Sequence, residues 1–415
     1  MIQVYRFMYL LLKMVLIVFR PFFATRTQEW ITMRFAVQSA KFENLNLINS
    51  IWIHASSGEI EYAKDLIREL KRKYPDRPIV VTYSSASAEK LFENIRNSVD
   101  FFVPLPWDDV YSISQFIKKI DPALLIISRT DLWPEMIYQC SNKKISIGLI
   151  SYFPFLSFWN RWYLKNLLSK FQFVSCVDQK TKLKIRALLG PSSTVITADG
   201  DTRFDQVFFR LSQNSKIEIL SNSPVFTFGS TWPEDEENCE KFWSYLLQNN
   251  HRLIISPHDV SLQNVERLCL WLKQKNYSFR KLSDFDSNID FNFPILLVDR
   301  IGILADIYRF SNFAFVGGSF KSRVHSVMEP LCCGIPVFVG PLIKNSPEAV
   351  RYSHHENFLL VARDAKDLIA EHMRIQNLDI AALNSQIKIE MQKNRGATQK
   401  IIRLISDSFL RKVNS

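Results

Sequence analysis

Short apolar runs recur along this chain, separated by amphipathic stretches far too long for hairpin turns. That rhythm constrains the fold more than any single motif. Ile51–His54, Ile79–Tyr83, Leu124–Ser128, Ile145–Ile150 and Phe173–Val177 are near-continuous apolar runs, the pattern of strands covered on both faces. Between them, segments such as Ile60–Arg72 and Val110–Ile120 place apolar residues at helical spacing. Strand–helix–strand alternation implies a parallel sheet with crossover helices. The pattern lapses over Ser212–Pro224 and then restarts with Val225–Phe228, Leu253–Ser256, Ile295–Val298, Phe313–Val316 and Ile335–Val339. The expectation is α/β: two doubly wound, Rossmann-like domains facing a cleft. The first covers residues 35–211, residues 212–224 form a linker, and the second covers 225–415, ending in a helix near Thr398–Leu410.

A length of 415 residues suits two or three domains, and 47% hydrophobic with 22% charged residues excludes a disordered or fibrous chain. Lysine and arginine exceed aspartate and glutamate by 52 − 41 = 11, which favours anionic partners. The basic residues are dispersed and no RRM, KH or helix-turn-helix signature is present, so nucleic acid is not expected as a partner. The six cysteines form no C-x-x-C pair and no zinc-spaced cluster; they read as reduced thiols of a cytosolic domain. At the N-terminus, Phe7–Phe19 is apolar except for Lys13. Thirteen residues are too few to span a bilayer, which needs about 20. Residues 1–34 are therefore expected to form a membrane-anchor helix and its connection, lying in or dipping into the membrane, with basic residues on anionic headgroups. Phe153–Lys170 mixes aromatics with Arg161, Lys165 and Lys170, and reads equally as an interfacial helix or a packing helix.

Glycine is scarce, 11 in all, yet six lie just past apolar runs: Gly58, Gly200, Gly229, Gly317, Gly318 and Gly340. Carboxyl ends of parallel strands are where open sheets bind ligands, although strand-to-helix turns use glycine in any case. Three motifs surround these positions. In H-A-S-S-G-E, residues 54–59, Glu59 stands at a helix start, either as a base or as a complement to the helix dipole. In F-G-S-T-W-P-E-D-E-E, residues 228–237, Thr231 and Glu234 have capping-box spacing, and Gly229 and Ser230 offer backbone N–H groups to an anion. In residues 315–341, a Gly-Gly turn leads to Lys321, Arg323 and His325, and Glu329 follows His325 at i+4, so both are expected on one helix face.

Together with L-W-P at 132–134, G-D-T-R-F-D at 200–205, S-P-H at 256–258 and D-R-I-G-I-L at 299–304, these motifs make the chain resemble the 3-deoxy-D-manno-octulosonic acid (Kdo) transferases of lipopolysaccharide synthesis. The resemblance runs over nearly the whole length and implies a membrane-anchored GT-B glycosyltransferase that moves Kdo from CMP-Kdo to a lipid A precursor, lipid IVA. It implies catalytic roles for Glu59 as general base, Asp131 and Arg203. It implies a CMP-Kdo site formed by Gly229, Ser230, Thr231, Pro257, His258, Ile301, Gly302, Ile303, Gly317, Gly318, Ser319, His325, Ser326, Val327, Met328 and Glu329, with Glu329 on the ribose. No cofactor and no metal are implied. The partners implied are the donor, the lipid acceptor and a membrane surface, at the cytoplasmic face of the bacterial inner membrane.

The chain departs from that family at several positions. Arg129-Thr130-Asp131 stands where E-T-E is usual, and His325-Ser326 stands for His-Asn. Ser151-Tyr152-Phe153 stands for an Asn-x-Arg pattern, and Lys321–Val324 lacks the usual glycines. The alternative reading is a divergent or non-catalytic relative that uses another nucleotide sugar.

Overall fold

The computed structural model describes residues 1–39, 47–85, 91–154, 156–157, 160–355 and 357–413. The chain divides into two compact units, Met1–Gln206 with Asn394–Ser415, and Val207–Lys393. Each is α/β and built on a seven-stranded sheet.

In the first unit the strands are β1 (Ser50–His54), β2 (Ile79–Tyr83), β3 (Phe101–Pro104), β4 (Pro122–Ser128), β5 (Ser146–Tyr152), β6 (Phe173–Cys176) and β7 (Val195–Ala198). Their order is β3-β2-β1-β4-β5-β6-β7, and every pairing is parallel. Every residue of β1, β2 and β5 is buried. The helix Ile60–Lys73 packs Ile60, Ala63, Leu66, Ile67 and Leu70 onto one face of the sheet, as its helical spacing requires. The order reverses between β1 and β4, which opens a crevice at their carboxyl ends.

In the second unit the strands are β8 (Glu218–Leu220), β9 (Val225–Thr231), β10 (Arg252–Pro257), β11 (Phe279–Lys281), β12 (Asn288–Asp290), β13 (Ile295–Leu297), β14 (Phe313–Val316), β15 (Val337–Val339) and β16 (Leu359–Val361). The main sheet runs β11-β13-β10-β9-β14-β15-β16, and β8 pairs with β12 in a small sheet of its own. The reversal here lies between β9 and β14.

Three expectations are corrected. The stretch 212–224 is not an unstructured linker: it carries β8, and the units change over within the helix Thr202–Ser212. The C-terminal helix Ala397–Val413 belongs to the first unit, not the second. Ile401, Ile402 and Ile405 pack in the first unit's core, and the Asp205 carboxylate accepts from the N–H groups of Gly396 (2.6 Å) and Thr398 (2.7 Å) at the start of that helix.

The third correction concerns the basic residues of segment 1–34, which were expected on anionic headgroups. Helices Ile2–Val18 and Thr25–Ser39 are built into the first unit. Arg6 forms a bidentate pair with buried Glu135 at 2.8 and 2.9 Å. The Tyr5 hydroxyl donates to Asp108 at 2.7 Å. Lys13 bonds Asp109 at 2.6 Å and lies over the Trp107 ring. Arg34 is fully buried, donates to the carbonyls of Leu105 and Pro106, and is sandwiched at 4.6 Å from both Trp30 and Trp133. These cations are therefore held by the protein rather than turned to headgroups. Among the described residues, no helix is long and apolar enough to cross a membrane.

Glu135 is fully buried while Arg6 retains contact with solvent, so Arg6→Ala strands a carboxylate in the core. The expected cost is about 1–3 kcal/mol, somewhat below that of breaking a fully buried pair. Denaturant unfolding of Arg6→Ala against wild type measures it. An unchanged midpoint would show that the N-terminal helix contributes nothing to the unit.

Candidate active site

In the first unit, the crevice between β1 and β4 collects the acidic and basic residues picked out by the motifs. β1 ends in His54, and the chain turns through Ala55–Gly58 into the helix Ile60–Lys73, leaving Glu59 just before the first turn. β4 ends in Ser128, and Arg129 follows in the left-handed region at φ +61°. Its N–H donates to Ile150 O at 3.0 Å. This bend turns Thr130 and Asp131 back over β1. Thr130 Oγ1 donates to Glu59 Oε1 at 2.9 Å, and Ser128 Oγ donates to the Glu59 carbonyl. Glu59 Oε2 is buried with no partner among the described residues. Burial pushes the Glu59 carboxyl up to about 7, against the Thr130 hydrogen bond and helped by the charge of Asp131.

Asp131 behaves in the opposite way. Burial pushes its carboxyl up, but hydrogen bonds and charge from His54, with a hydrogen bond from Ser84, prevail and hold it down at about 2. Asp131 Oδ2 lies 3.0 Å from His54 Nε2 and accepts from Ser84 Oγ at 2.8 Å. His54 Nδ1 lies 2.9 Å from Thr82 Oγ1, which also accepts from Trp52 Nε1. One carboxylate is thus fixed and ionised, while its neighbour titrates near neutrality, the separation that acid–base chemistry uses.

Arg203 completes the group. Its guanidinium lies 5.5 Å from the Tyr62 ring centroid, and Arg129 lies 4.5 Å from the same ring. Thr202 fastens this corner: its N–H donates to Ser151 Oγ at 3.0 Å, and its hydroxyl bonds the Tyr62 carbonyl. The structure therefore brings together Glu59, Asp131 and Arg203. Sequence reasoning passed over Thr130, Tyr62 and Ser84, and quoted Arg129 only as a departure. The sole sequence cue for Tyr62 was its place one turn beyond Glu59.

In the second unit, the expected donor residues gather only in part. Ser230 adopts φ +57° at the end of β9. The expected Thr231–Glu234 capping box is displaced by one residue: Asp235 accepts from Trp232 N–H at 2.9 Å, and Thr231 Oγ1 donates to Glu236 at 3.1 Å instead. Buried Asp235 also takes the Gly318 N–H at 2.6 Å and the Phe320 N–H at 3.1 Å, so these groups of the Gly-Gly turn already hold an anion. Gly318 has φ +85°, and a Cβ there would fall 2.2 Å from Arg323 O. A Cβ on Gly229 would fall 2.0 Å from the Tyr308 hydroxyl. Packing alone demands glycine at both positions. Ser319 is buried; its hydroxyl donates to Val316 O and accepts from Gly340 N–H just past β15, and Gly317 N–H bonds Gly229 O.

His325 does not share a helix face with Glu329, because the helix begins only at Met328. The His325 ring stacks on His258 at 4.2 Å, and His258 stacks on Trp232 at 4.8 Å. Trp232 Nε1 donates to His325 Nε2 at 2.9 Å. Burial, with the charges of His258 and Arg323, lowers His325 to about 4, which keeps the ring neutral and able to accept. Glu329 opens the short helix and is bonded by the Ser326 hydroxyl. Val327 and Met328 are core residues, and Pro257 is buried at the end of β10. In the loop after β13, Ile301 is 80% exposed, Ile303 joins the core, and the Gly302 carbonyl accepts from Arg210. Trp232 and Asp235 were missed as site residues, although both stand in the quoted motif. The segment Phe153–Lys170 contains the helix Arg161–Leu168, which buries Leu164, Leu167 and Leu168 and exposes Trp162; Phe155, Phe158 and Trp159 lie outside the described residues.

The chain is similar to several known proteins. Residues 29–206 match the family model described as 3-deoxy-D-manno-octulosonic-acid transferase (kdotransferase). A 3-deoxy-D-manno-octulosonic acid transferase of Haemophilus influenzae is 27% identical over 391 residues, covering 88% of each chain. A bifunctional glycosyltransferase/methyltransferase of Fusobacterium nucleatum subsp. nucleatum is 27% identical over 351 residues, 81% of this chain; the match spans about half of that relative, 53%. In fold alone, the chain is similar to a UDP-GlcNAc 2-epimerase from Neisseria meningitidis bound to UDP-GlcNAc, with a TM-score of 0.56 at 13% identity, over 86% of this chain and 100% of that one. The chain is a glycosyltransferase, and both of its units have the parallel α/β build of the GT-B class. The match to the Kdo transferase family model covers most of the first unit.

Proposed function

We propose that this enzyme transfers Kdo from CMP-Kdo to the hydroxyl of a lipid A precursor of the lipid IVA type, in lipopolysaccharide core synthesis. The observation that carries the reading is Glu59: a carboxyl poised near neutrality, with one oxygen bonded by Thr130 and the other unpartnered, inside a Kdo transferase domain. In this reading Glu59 takes the acceptor's hydroxyl proton as its oxygen bonds the anomeric carbon of Kdo, and CMP departs with the electrons of the broken bond. Asp131, anchored on His54 and Ser84, holds the loop that carries Thr130 and keeps a negative charge beside the base. Arg203 offsets negative charge on the substrates. The second unit supplies the donor site: Glu329, positioned by Ser326, accepts from the ribose hydroxyls, and the Trp232–His258–His325 stack walls the nucleotide.

The test is incubation of the full chain with CMP-Kdo, generated in place, and lipid IVA, with the products read by mass spectrometry. Addition of Kdo is expected, and a lipid left unmodified would overturn the reading. Because a base must be deprotonated to act, kcat/KM should rise with pH through about 7 and level off above it. Glu59→Gln should lower the rate about 10²–10⁴-fold; normal turnover by that variant would remove Glu59 from the base role.

For the donor, Glu329→Ala loses hydrogen bonds to a charged acceptor, each worth about 1.5–3 kcal/mol. Calorimetric titration with CMP should show affinity falling by at least about tenfold; an unchanged Kd would place the ribose elsewhere.

The same reading puts the enzyme at the cytoplasmic face of the inner membrane. Its support is the outer surface of the helix Ile2–Val18, where Phe7, Leu10, Leu11, Met14 and Val18 are exposed while Arg6 and Lys13 face the protein. An apolar face of this kind suits an interfacial helix. In flotation with anionic lipid vesicles, wild type should rise with the lipid and Leu11→Glu/Met14→Glu should stay behind. Equal flotation of both would shift attention to the surface around Trp162.

A further inference from the structure

We infer that Trp232 is a positioning residue for the donor: its indole N–H locks neutral His325 with the ring proton on Nδ1, so that the histidine presents a single, fixed N–H to the phosphate of the bound nucleotide. The inference rests on the donor side of the reading above and adds to it the residue that decides which atom of His325 can bind.

The chemistry of the contact carries it. An indole nitrogen can only donate, and Trp232 Nε1 lies 2.9 Å from His325 Nε2. Nε2 must therefore offer its lone pair, which lies in the plane of the imidazole. The two rings are tilted by only 19°, with centroids 6.5 Å apart, so they meet edge to edge and the indole N–H points along that lone pair. A neutral ring whose Nε2 accepts carries its proton on Nδ1. Burial and the charges of His258 and Arg323, the titratable groups that act on it, keep a second proton off the ring at neutral pH. Nδ1 is left free: it has no partner among the described residues and is not sealed in the core.

The lock is also held in place. The Asp235 carboxylate accepts the Trp232 backbone N–H at 2.9 Å, and the His325 backbone N–H donates to Gly317 O at 3.0 Å. His258 stacks against both rings, at 4.8 Å from Trp232 and 4.2 Å from His325. Lys321 lies 3.7 Å from the Trp232 ring centroid and 3.5 Å from Glu234. Lys321 and Arg323 bring two exposed positive charges to the loop that ends in His325. Those charges attract an anion without directing it, whereas a fixed N–H gives it a direction. A phosphate oxygen, an acceptor carrying negative charge, suits both.

The experiment uses the full chain with isotope-labelled histidine, because nitrogen NMR separates protonated from bare ring nitrogens. The His325 signals are those missing from His325→Asn. At neutral pH, wild type should show His325 with Nδ1 protonated and Nε2 bare. Trp232→Phe, which keeps an aromatic ring and loses the N–H, should show a mixture of the two tautomers. A protonated Nε2 in wild type, or an unchanged pattern in Trp232→Phe, overturns the lock. This readout needs neither donor nor transfer, so it stands apart from failure of the transfer reading. Calorimetric titration with CMP and with cytidine then reads the ligand. Only one tautomer binds, so Trp232→Phe should weaken CMP by the share of that tautomer lost, about 3–10-fold, and leave cytidine, which has no phosphate, unchanged. An equal loss on both, or no loss on CMP, overturns the phosphate contact. In His325→Asn, an amide N–H takes the place of Nδ1–H and has no tautomers, so adding Trp232→Phe should cost CMP nothing further. A further loss of the same size would mean that the tryptophan acts by packing, and overturns the proposal. Circular dichroism of each variant checks that it is folded, and the wild-type spectrum decides the tautomer even if Trp232→Phe is not.

Discussion

Every feature of the two units depends on one constraint: a parallel sheet covered on both faces has no room for polar chemistry except at its strand ends. Each residue of β1, β2 and β5 is buried, so a carboxylate along them would need a partner in the core. His54, the last residue of β1, shows the limit of what is tolerated. It is fully buried, and both ring nitrogens are taken, by Thr82 and by Asp131. One residue further out the chain turns, and there Glu59 can leave one oxygen unpartnered. The switch in strand order between β1 and β4 parts the crossovers and leaves that position open, and the switch between β9 and β14 does the same in the second unit.

The constraint also explains how much was legible in the sequence. The central strands were readable because burial on both faces forces continuous apolar runs; β2 and β14 begin and end where the runs do. The edge strands were not, since β11 (Phe279-Arg280-Lys281) and β8 (Glu218-Ile219-Leu220) expose one side and carry charges that break the pattern. Glu59 could be singled out from its place after a strand and before a helix. Its elevated affinity for a proton could not, because that comes from burial and from the charge of Asp131, some 70 residues away, prevailing over the Thr130 hydrogen bond.

Charge was the least legible property. Basic residues near an apolar N-terminus suggested headgroups, yet Arg6, Lys13 and Arg34 are matched by Glu135, Asp109 and backbone carbonyls from the segment around β3 and β4. Nothing local in the sequence announces those partners. For two glycines after strands, the sequence left ligand approach and turn packing both open; packing accounts for each, since Gly229 makes room for Tyr308, and Gly318 for the turn running to Arg323. The buried Asp235 takes the N–H groups of Gly318 and Phe320, so the Gly-Gly turn is closed by the protein's own carboxylate.

The crevice between β1 and β4 is arranged at the expense of stability. A carboxyl whose affinity for protons is higher in the folded than in the unfolded chain binds more protons when folded, so stability falls as pH rises from the ordinary carboxylate range toward the folded value of about 7. Glu59 thus opposes folding most where it is fully ionised. Asp131, lowered to about 2, works the other way: its contribution is present above the ordinary aspartate range and is lost only as pH falls toward 2. The two carboxylates face each other across the same turn, and the ionised one raises the other. The Asp131 network with His54 and Ser84 does more than hold a loop. Its net stabilisation of the ionised Asp131 lets the fold tolerate a second, destabilised carboxyl beside it, and the strained backbone at Arg129 fixes their separation.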